Sequence, residues 1–344
     1  MITCEKTTND KLQTCNFVKC ILMMTVVLYH SILFWNGNWF SEVEKVAIES
    51  NVLKIFSEWL NTFHIYAFTL VSGYIFTYIK LEKGGYSNFR DFLINKFSRL
   101  IVPYIFILVV WVAPIGIYIF NYNTNTIISK YVLGTGPNQL WFLLMLFNVF
   151  IISFFMIEFW AKHIVGGLLV ALCFYGIGMV LPDYFMLSST FRFLLFFWLG
   201  FYLRYNKDSI IWKIPSIILL GINLTLFAID CLFTSQHIIF KLLLLVFKLT
   251  NQVVGAVAAF IVIGRIGEKL KLNNRVYKFI SDKSMIVYMF HQQFIYFTIK
   301  MFNGNINPFI HAGINFIISF SLSLILACLF SKSRIISKLL GQRT

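Results

Sequence analysis

The chain has 344 residues, 59% hydrophobic and only 12% charged, with a mean hydropathy of +0.78 and a formal net charge of +15. A soluble domain carries about a quarter charged residues, so this composition excludes a water-exposed globular surface and describes a polytopic membrane protein. The positive excess fits loops that face an anionic cytoplasmic leaflet, with anionic lipids as partners and no nucleic acid.

Residues 1–16 form a polar, mixed-charge arm, followed by the apolar run that contains KCILMMTVVLYHS at positions 19–31. No small-residue cleavage site follows, so this run reads as an uncleaved first membrane helix. A spanning helix needs about 20 apolar residues. Candidates run from Phe17 to Phe34, Leu60 to Tyr78, Leu100 to Phe120, Leu140 to Ile157 and Ile164 to Leu181. Others run from Met186 to Leu203, Ile214 to Ala228, Phe240 to Gly264, Ser284 to Phe302 and Phe309 to Phe330. The expected fold is an all-α polytopic bundle of about ten transmembrane helices, one domain over residues 1–344 with a cytosolic arm (1–16) and a cytosolic tail (331–344). The eighth segment carries Lys241 and Lys248 in its first half, which suits the interface better than the hydrocarbon. With ten crossings, 22 of the 29 Lys and Arg fall on one side together with both termini, and the positive-inside rule makes that side the cytosol. The longest outer connection, between the first two segments, is expected to form a short surface helix. The six cysteines, Cys4, Cys15, Cys20, Cys173, Cys231 and Cys328, show no CxxC pair and no metal-ligand spacing, so neither a disulfide framework nor a metal site is expected.

Ionisable and amide side chains inside a span are costly and raise functional hypotheses. His30 lies eleven positions past Lys19, ~16 Å along a helix, near the middle of the bilayer, while Lys19 can snorkel to the interface. A neutral imidazole there is a general base in waiting; it could equally be a hydrogen bond that holds two helices together. The second segment opens FHIYAFTLVSGYIF, with His64 near the outer face and the Ser72–Gly73 pair about two turns deeper, suited to close helix approach. The third is approached through KFSRLIVPYIF, with Lys96 and Arg99 at the cytosolic mouth and Pro103 expected in the first turn. Arg99 suits an anionic lipid or a phosphorylated cofactor. Gln139 and Trp141 open the fourth segment at the outer interface. The ninth holds His291, Gln292 and Gln293 in SMIVYMFHQQFIYF, expected about two turns above its cytosolic end; three adjacent polar side chains cannot all face lipid. For His163, His237 and His311, an interfacial position is explanation enough.

In this order these pieces resemble the membrane-bound acyltransferase-3 family, which acylates carbohydrates and other surface polymers. NFVKCILMMTVVLYHS resembles its first helix, in which a basic residue precedes a histidine by eleven positions, here Lys19 and His30. FHIYAFTLVSGY, SRLIVPY, LWFLLMLF and IVYMFHQQFIY resemble its second-helix, third-helix, fourth-helix and near-C-terminal motifs. Asn16, Ile65, Tyr66 and Gln293 depart from the family's usual residues.

The resemblance implies an O-acyltransferase, most often an O-acetyltransferase. It would use cytosolic acyl-CoA (acetyl-CoA) as donor and a hydroxyl of a cell-surface polysaccharide or its lipid-linked precursor as acceptor, in the inner (plasma) membrane and without a permanently bound cofactor or metal. His30 is then the catalytic base, Lys19 and Arg99 hold the donor phosphates, and His64, Ser72, Trp141, His291 and Gln292 are candidates for substrate or oxyanion contacts. The rival reading is an exporter or flippase for polysaccharide or lipid-linked sugar, without catalysis. Such carriers often show inverted repeats or broken helix pairs, and neither is visible.

Overall fold

The computed structural model describes residues 8–232, 238–270 and 275–342, and every regular element among them is helical. The main ones, in chain order, are α1 (Thr8–Leu33), α2 (Asn51–Asn61), α3 (His64–Thr77), α4 (Phe89–Phe120), α5 (Trp141–Lys162) and α6 (Ile164–Gly178). They continue with α7 (Leu187–Tyr205), α8 (Ser216–Leu232), α9 (Ile238–Lys269), α10 (Arg275–Phe302), α11 (Pro308–Phe330) and α12 (Arg334–Leu339). Cys4, Lys6, His237, Lys271 and Arg343 lie outside the described residues.

Among the described residues six helices are long and apolar enough to cross a membrane, belonging to α1, α4, α5, α7, α9 and α11. Each of the other expected segments also falls on a helix, but on one that is short or polar. Helix α3 has 14 residues, ~21 Å of rise. Helices α6 and α8 have 15 and 17, and α10 opens with Arg275, Lys278, Asp282 and Lys283. The expected surface helix is α2, whose N-terminus is capped by the Ser50 side chain accepting from the Leu53 N–H.

Three boundaries differ from the sequence reading. Helix α1 starts at Thr8 instead of Phe17, so Lys19 sits well inside the helix and is half-buried. Helix α4 starts at Phe89, placing Pro103 mid-helix; the wide turn at Phe97–Ile101 just before it loosens the ladder where proline has no N–H to offer. Helix α10 starts nine residues early, so His291 lies sixteen residues in, ~24 Å from its start.

Helix α3 is the centre of the bundle and packs on α1, α7 and α9. Two glycines bring α3 and α7 into backbone contact. A Cβ at Gly73 would lie 2.2 Å from the Phe197 carbonyl oxygen, and one at Gly200 would lie 2.0 Å from that of Leu70. No side chain fits either space, which is how small residues bring helices close. At the end of α3 nearest Lys80, Arg204 of α7 is buried and holds Glu82 through Nε and Nη2, each 2.6 Å from a carboxylate oxygen, while its Nη1 donates to the Tyr74 hydroxyl at 3.1 Å. Partial burial alone would raise the Glu82 carboxyl, but the hydrogen bonds and charge of Arg204, then of Lys207, hold it below its ordinary value. The lock is therefore complete above the ordinary carboxylate pKa and weakens as pH falls through the lowered one. At the other end, Thr298 of α10 donates to Asn315 of α11 at 2.6 Å, and Asn315 donates to the Ser31 carbonyl of α1 at 3.0 Å. His311 joins this strut, buried and 3.2 Å from the Thr298 carbonyl, a helix-to-helix bond where the sequence suggested only an interfacial ring.

Gly73→Ala and Gly200→Ala should each cost about 1–3 kcal/mol by forcing α3 and α7 apart. Gly221→Ala, whose new Cβ would meet nothing within 4 Å, is the control. Thermal unfolding of the detergent-purified variants checks this, with a clear fall in Tm for the first two only.

Candidate functional site

The last turn of α1, the start of α3, the middle of α10 and the connections before α2 and α5 enclose a cavity of about 400 Å³. It lies at the end of α1 away from Lys19. His30, His64, Trp141 and Gln292 line it; His291, one layer behind, touches His30.

Three imidazoles are held by one device. His30 Nδ1 is 3.0 Å from the Val26 carbonyl, His64 Nδ1 is 2.7 Å from that of Leu60, and His291 Nδ1 is 2.7 Å from that of Tyr288. A carbonyl only accepts, so in each neutral ring Nδ1 carries the proton and Nε2 keeps the lone pair. The pair His30–His291 makes the assignment doubly determined. His291 Nε2 lies 3.1 Å from His30 Nδ1; being the lone-pair nitrogen it must accept, so His30 Nδ1–H donates to it and to Val26 together. His30 Nε2 is left as the free acceptor of a half-buried ring on the cavity wall.

Amides fix the opposite wall. Gln139 Nε2 donates to the Met289 carbonyl and to Gln293 Oε1, both at 2.7 Å, and Gln293 Nε2 returns a bond to Gln139 Oε1 at 3.1 Å. The Tyr288 hydroxyl donates to the Gln139 carbonyl. These bonds lash the start of α5 to α10 and set Trp141 on the cavity wall. Gln292 Nε2 donates to the Tyr296 hydroxyl, whereas its Oε1 is buried and has no partner among the described residues. Gln139, Tyr288 and Tyr296 were missed as site residues by sequence reasoning. The signal available was the polar pair Asn138–Gln139 ahead of an apolar run, which the sequence analysis assigns to the outer interface.

The remaining sequence candidates lie elsewhere. The buried Ser72 hydroxyl donates to the Phe68 carbonyl at 3.0 Å and does not line the cavity. Lys19 is half-buried and Arg99 exposed; they are charge neighbours, on the cavity's far side along α1. Among the described residues no group of three or more His, Cys, Asp or Glu side chains is placed to hold a metal ion.

The model of the family described as acyltransferase domain matches residues 14–332. No curated protein and no solved structure matches the chain.

The tautomers can be observed directly. In ¹⁵N–¹H correlation spectra of histidine-labelled protein at neutral pH, His30 should show a protonated Nδ1 and an unprotonated Nε2. His291→Phe should leave His30 protonated at Nδ1, held by the Val26 carbonyl alone. A His30 protonated at Nε2 in the unaltered protein would contradict the network.

Proposed function

The chain belongs to the membrane acyltransferase family 3, and from that premise we propose that it is an O-acetyltransferase of the plasma membrane that moves the acyl group of acetyl-CoA, delivered from the cytosol, to a hydroxyl of a cell-surface polysaccharide or its lipid-linked precursor. The observation that carries the reading is the His30 imidazole, held by Val26 and His291 with Nε2 unengaged, on the wall of a cavity of ligand size.

A sugar hydroxyl is a poor nucleophile at neutral pH and needs a base within hydrogen-bond reach. His30 Nε2 takes the hydroxyl proton as the oxygen forms its ester bond to the acyl carbon. The C–S bond then breaks, and the imidazolium returns the proton to the departing CoA thiolate. The positive charge of the intermediate imidazolium sits on a ring whose Nδ1–H already donates to the Val26 carbonyl and to His291 Nε2, so His291 acts as a positioning residue. For the developing oxyanion a donor is required. Neutral His64 offers only a lone pair at Nε2, and Ser72 has spent its proton on Phe68. The indole N–H of Trp141 makes no hydrogen bond among the described residues and lies on the cavity wall, which makes it the better candidate.

Lys19 and Arg99 supply the donor end. CoA carries its phosphates far from its thioester, joined by a long thin pantetheine arm. The eleven-position step from Lys19 to His30 corresponds to ~16 Å, a span such an arm can bridge. The positive-inside count of the sequence, which favours cytosolic termini, supports a donor side at the cation pair and an acceptor side at the cavity.

His30→Ala should lower acetyl transfer by about 10²–10⁴-fold while leaving the amount of inserted protein unchanged. His291→Phe should lower kcat more than it raises either KM. Both are read with purified protein, labelled acetyl-CoA and host surface glycan; near-normal transfer by His30→Ala would return His30 to a packing role.

Arg99→Ala should weaken CoA affinity roughly ten- to a hundredfold, the value of one charge-assisted phosphate contact. Arg99→Lys should recover only part, since a point charge replaces a planar fork. Calorimetric titration of CoA checks it; unchanged affinity in the alanine variant would make Arg99 a lipid anchor.

A further inference from the structure

Helix α7 carries two arginines, Arg192 and Arg204, twelve positions apart, ~18 Å along its axis. Their surroundings differ. Arg204 is engaged on every nitrogen, by Glu82 and the Tyr74 hydroxyl. Arg265 of α9 gives Nη1 and Nη2 to the Ile214 and Trp212 carbonyls and the Ser216 hydroxyl. Arg192, in the second turn of α7 at the cavity end, has no such set. Its Nε is buried without a partner among the described residues, and Nη1 bonds to none of them. Its Nη2 reaches the Ser189 hydroxyl at 3.4 Å, longer than the usual N–H···O range. Ser189 is itself committed to Asp183, through its hydroxyl to Oδ2 at 2.7 Å and its N–H to Oδ1 at 3.1 Å. No carboxylate among the described residues forms an ion pair with Arg192.

A guanidinium stays charged, and a charge in a spanning helix is costly unless it is paired. The fold nevertheless makes room for this one. A Cβ at Gly178 of α6 would lie 3.0 Å from Arg192 Cγ and 2.8 Å from the Ser188 carbonyl oxygen, so only a glycine lets the arginine stem pass. Two phenols from two other helices, Tyr66 of α3 and Tyr175 of α6, lie within range of its charge. Neither hydroxyl has a hydrogen-bond partner among the described residues. The Tyr66 ring is fixed by stacking on Phe193 at 5.1 Å and by Phe196 at 4.5 Å. It is also one of the positions at which the chain departs from the family's usual residues.

A permanent cation and two spare hydroxyls, brought together by three helices, call for an anion with several acceptor oxygens, which a phosphate supplies. The flanks of the site are apolar and exposed, with Ile177, Val180, Tyr184 and Leu187 turned outward from α6 and the start of α7. Such flanks suit acyl chains and not a free ion in water. We infer that Arg192, Tyr66 and Tyr175 form a binding site for the phosphate of an anionic phospholipid, whose chains lie along the outer face of α6. The site is at the opposite end of α7 from Arg204 and the basic connections, so it is distinct from their general attraction to an anionic leaflet. It requires nothing of the chemistry at His30.

The test is native mass spectrometry of the full chain in detergent, titrated with dioleoyl phosphatidylglycerol. Dioleoylglycerol, with the same chains and no phosphate, and inorganic phosphate are the controls. One phosphatidylglycerol should bind more tightly than the rest and raise the Tm of the protein. Arg192→Gln should weaken that binding roughly ten- to a hundredfold, the scale of a charge-assisted contact, and remove the rise in Tm. Arg192→Lys should keep part of it. Tyr66→Phe and Tyr175→Phe, which preserve the rings, should each weaken it about two- to tenfold, and they decide the matter if Arg192→Gln does not fold. Equal retention of dioleoylglycerol, or unchanged phosphatidylglycerol affinity in Arg192→Gln or in both phenylalanine variants, would overturn the site. Displacement of the lipid by inorganic phosphate alone would overturn the lipid as its occupant.

Discussion

Hydrocarbon offers no partner to a polar group, and this constraint organises the interior of the bundle. The side chains answer it with the nearest backbone carbonyl, one turn back on their own helix. Ser31 donates to Val27, Thr69 to Ile65, Ser72 to Phe68 and Thr77 to Gly73. His30 and His64 do the same through Nδ1, and His291 does so three residues back. For a hydroxyl this spends the only proton and leaves the group chemically quiet. For an imidazole it spends one nitrogen and decides the state of the other. The same rule that silences Ser72 therefore leaves the lone pair of His30 Nε2 unengaged.

The constraint also explains what could be read from the sequence. Apolar length alone located the helical segments, because a span must bury its backbone whatever its side chains. It served less well where polar residues had been recruited into the interior. Helix α10 begins with charged turns and α3 is short, so neither has the length or apolarity of a span among the described residues, although both carry site residues. His30, His64, His291 and Gln292 were legible as polar residues out of place. What was not legible was their division of labour. Nothing in HQQ at 291–293 says that His291 backs His30, Gln292 lines the cavity and Gln293 closes on Gln139; a helix turns by 100° per residue, and only the neighbours decide which direction each one meets. Gln139 was visible as a polar residue, but its partners were not, since it sits in a connection whose path depends on a left-handed residue, Asn138.

The two ends of the bundle are stabilised by different physics. Near Lys80 the structure relies on charge, with Glu82 shared by Arg204 and Lys207. Around the cavity it relies on neutral amides, imidazoles and stacked rings. The close contact of α3 with α7 at Gly73 and Gly200 lies between the two ends, so the element that carries His64 at one end carries the Glu82 lock at the other.

That arrangement bears on the choice between an enzyme and a carrier. Between the cavity and the cation pair the interior is filled by Leu22, Met23, Val27, Leu70, Phe76 and Leu143, all buried. These side chains come from α1, α3 and α5; the close contact at Gly73 and Gly200 fixes α3 to α7, and the amide pair of Gln139 and Gln293 fixes α5 to α10, so a path wide enough for a saccharide would require packed helices to move apart. The matched acyltransferase family and this packed interior both favour the enzyme.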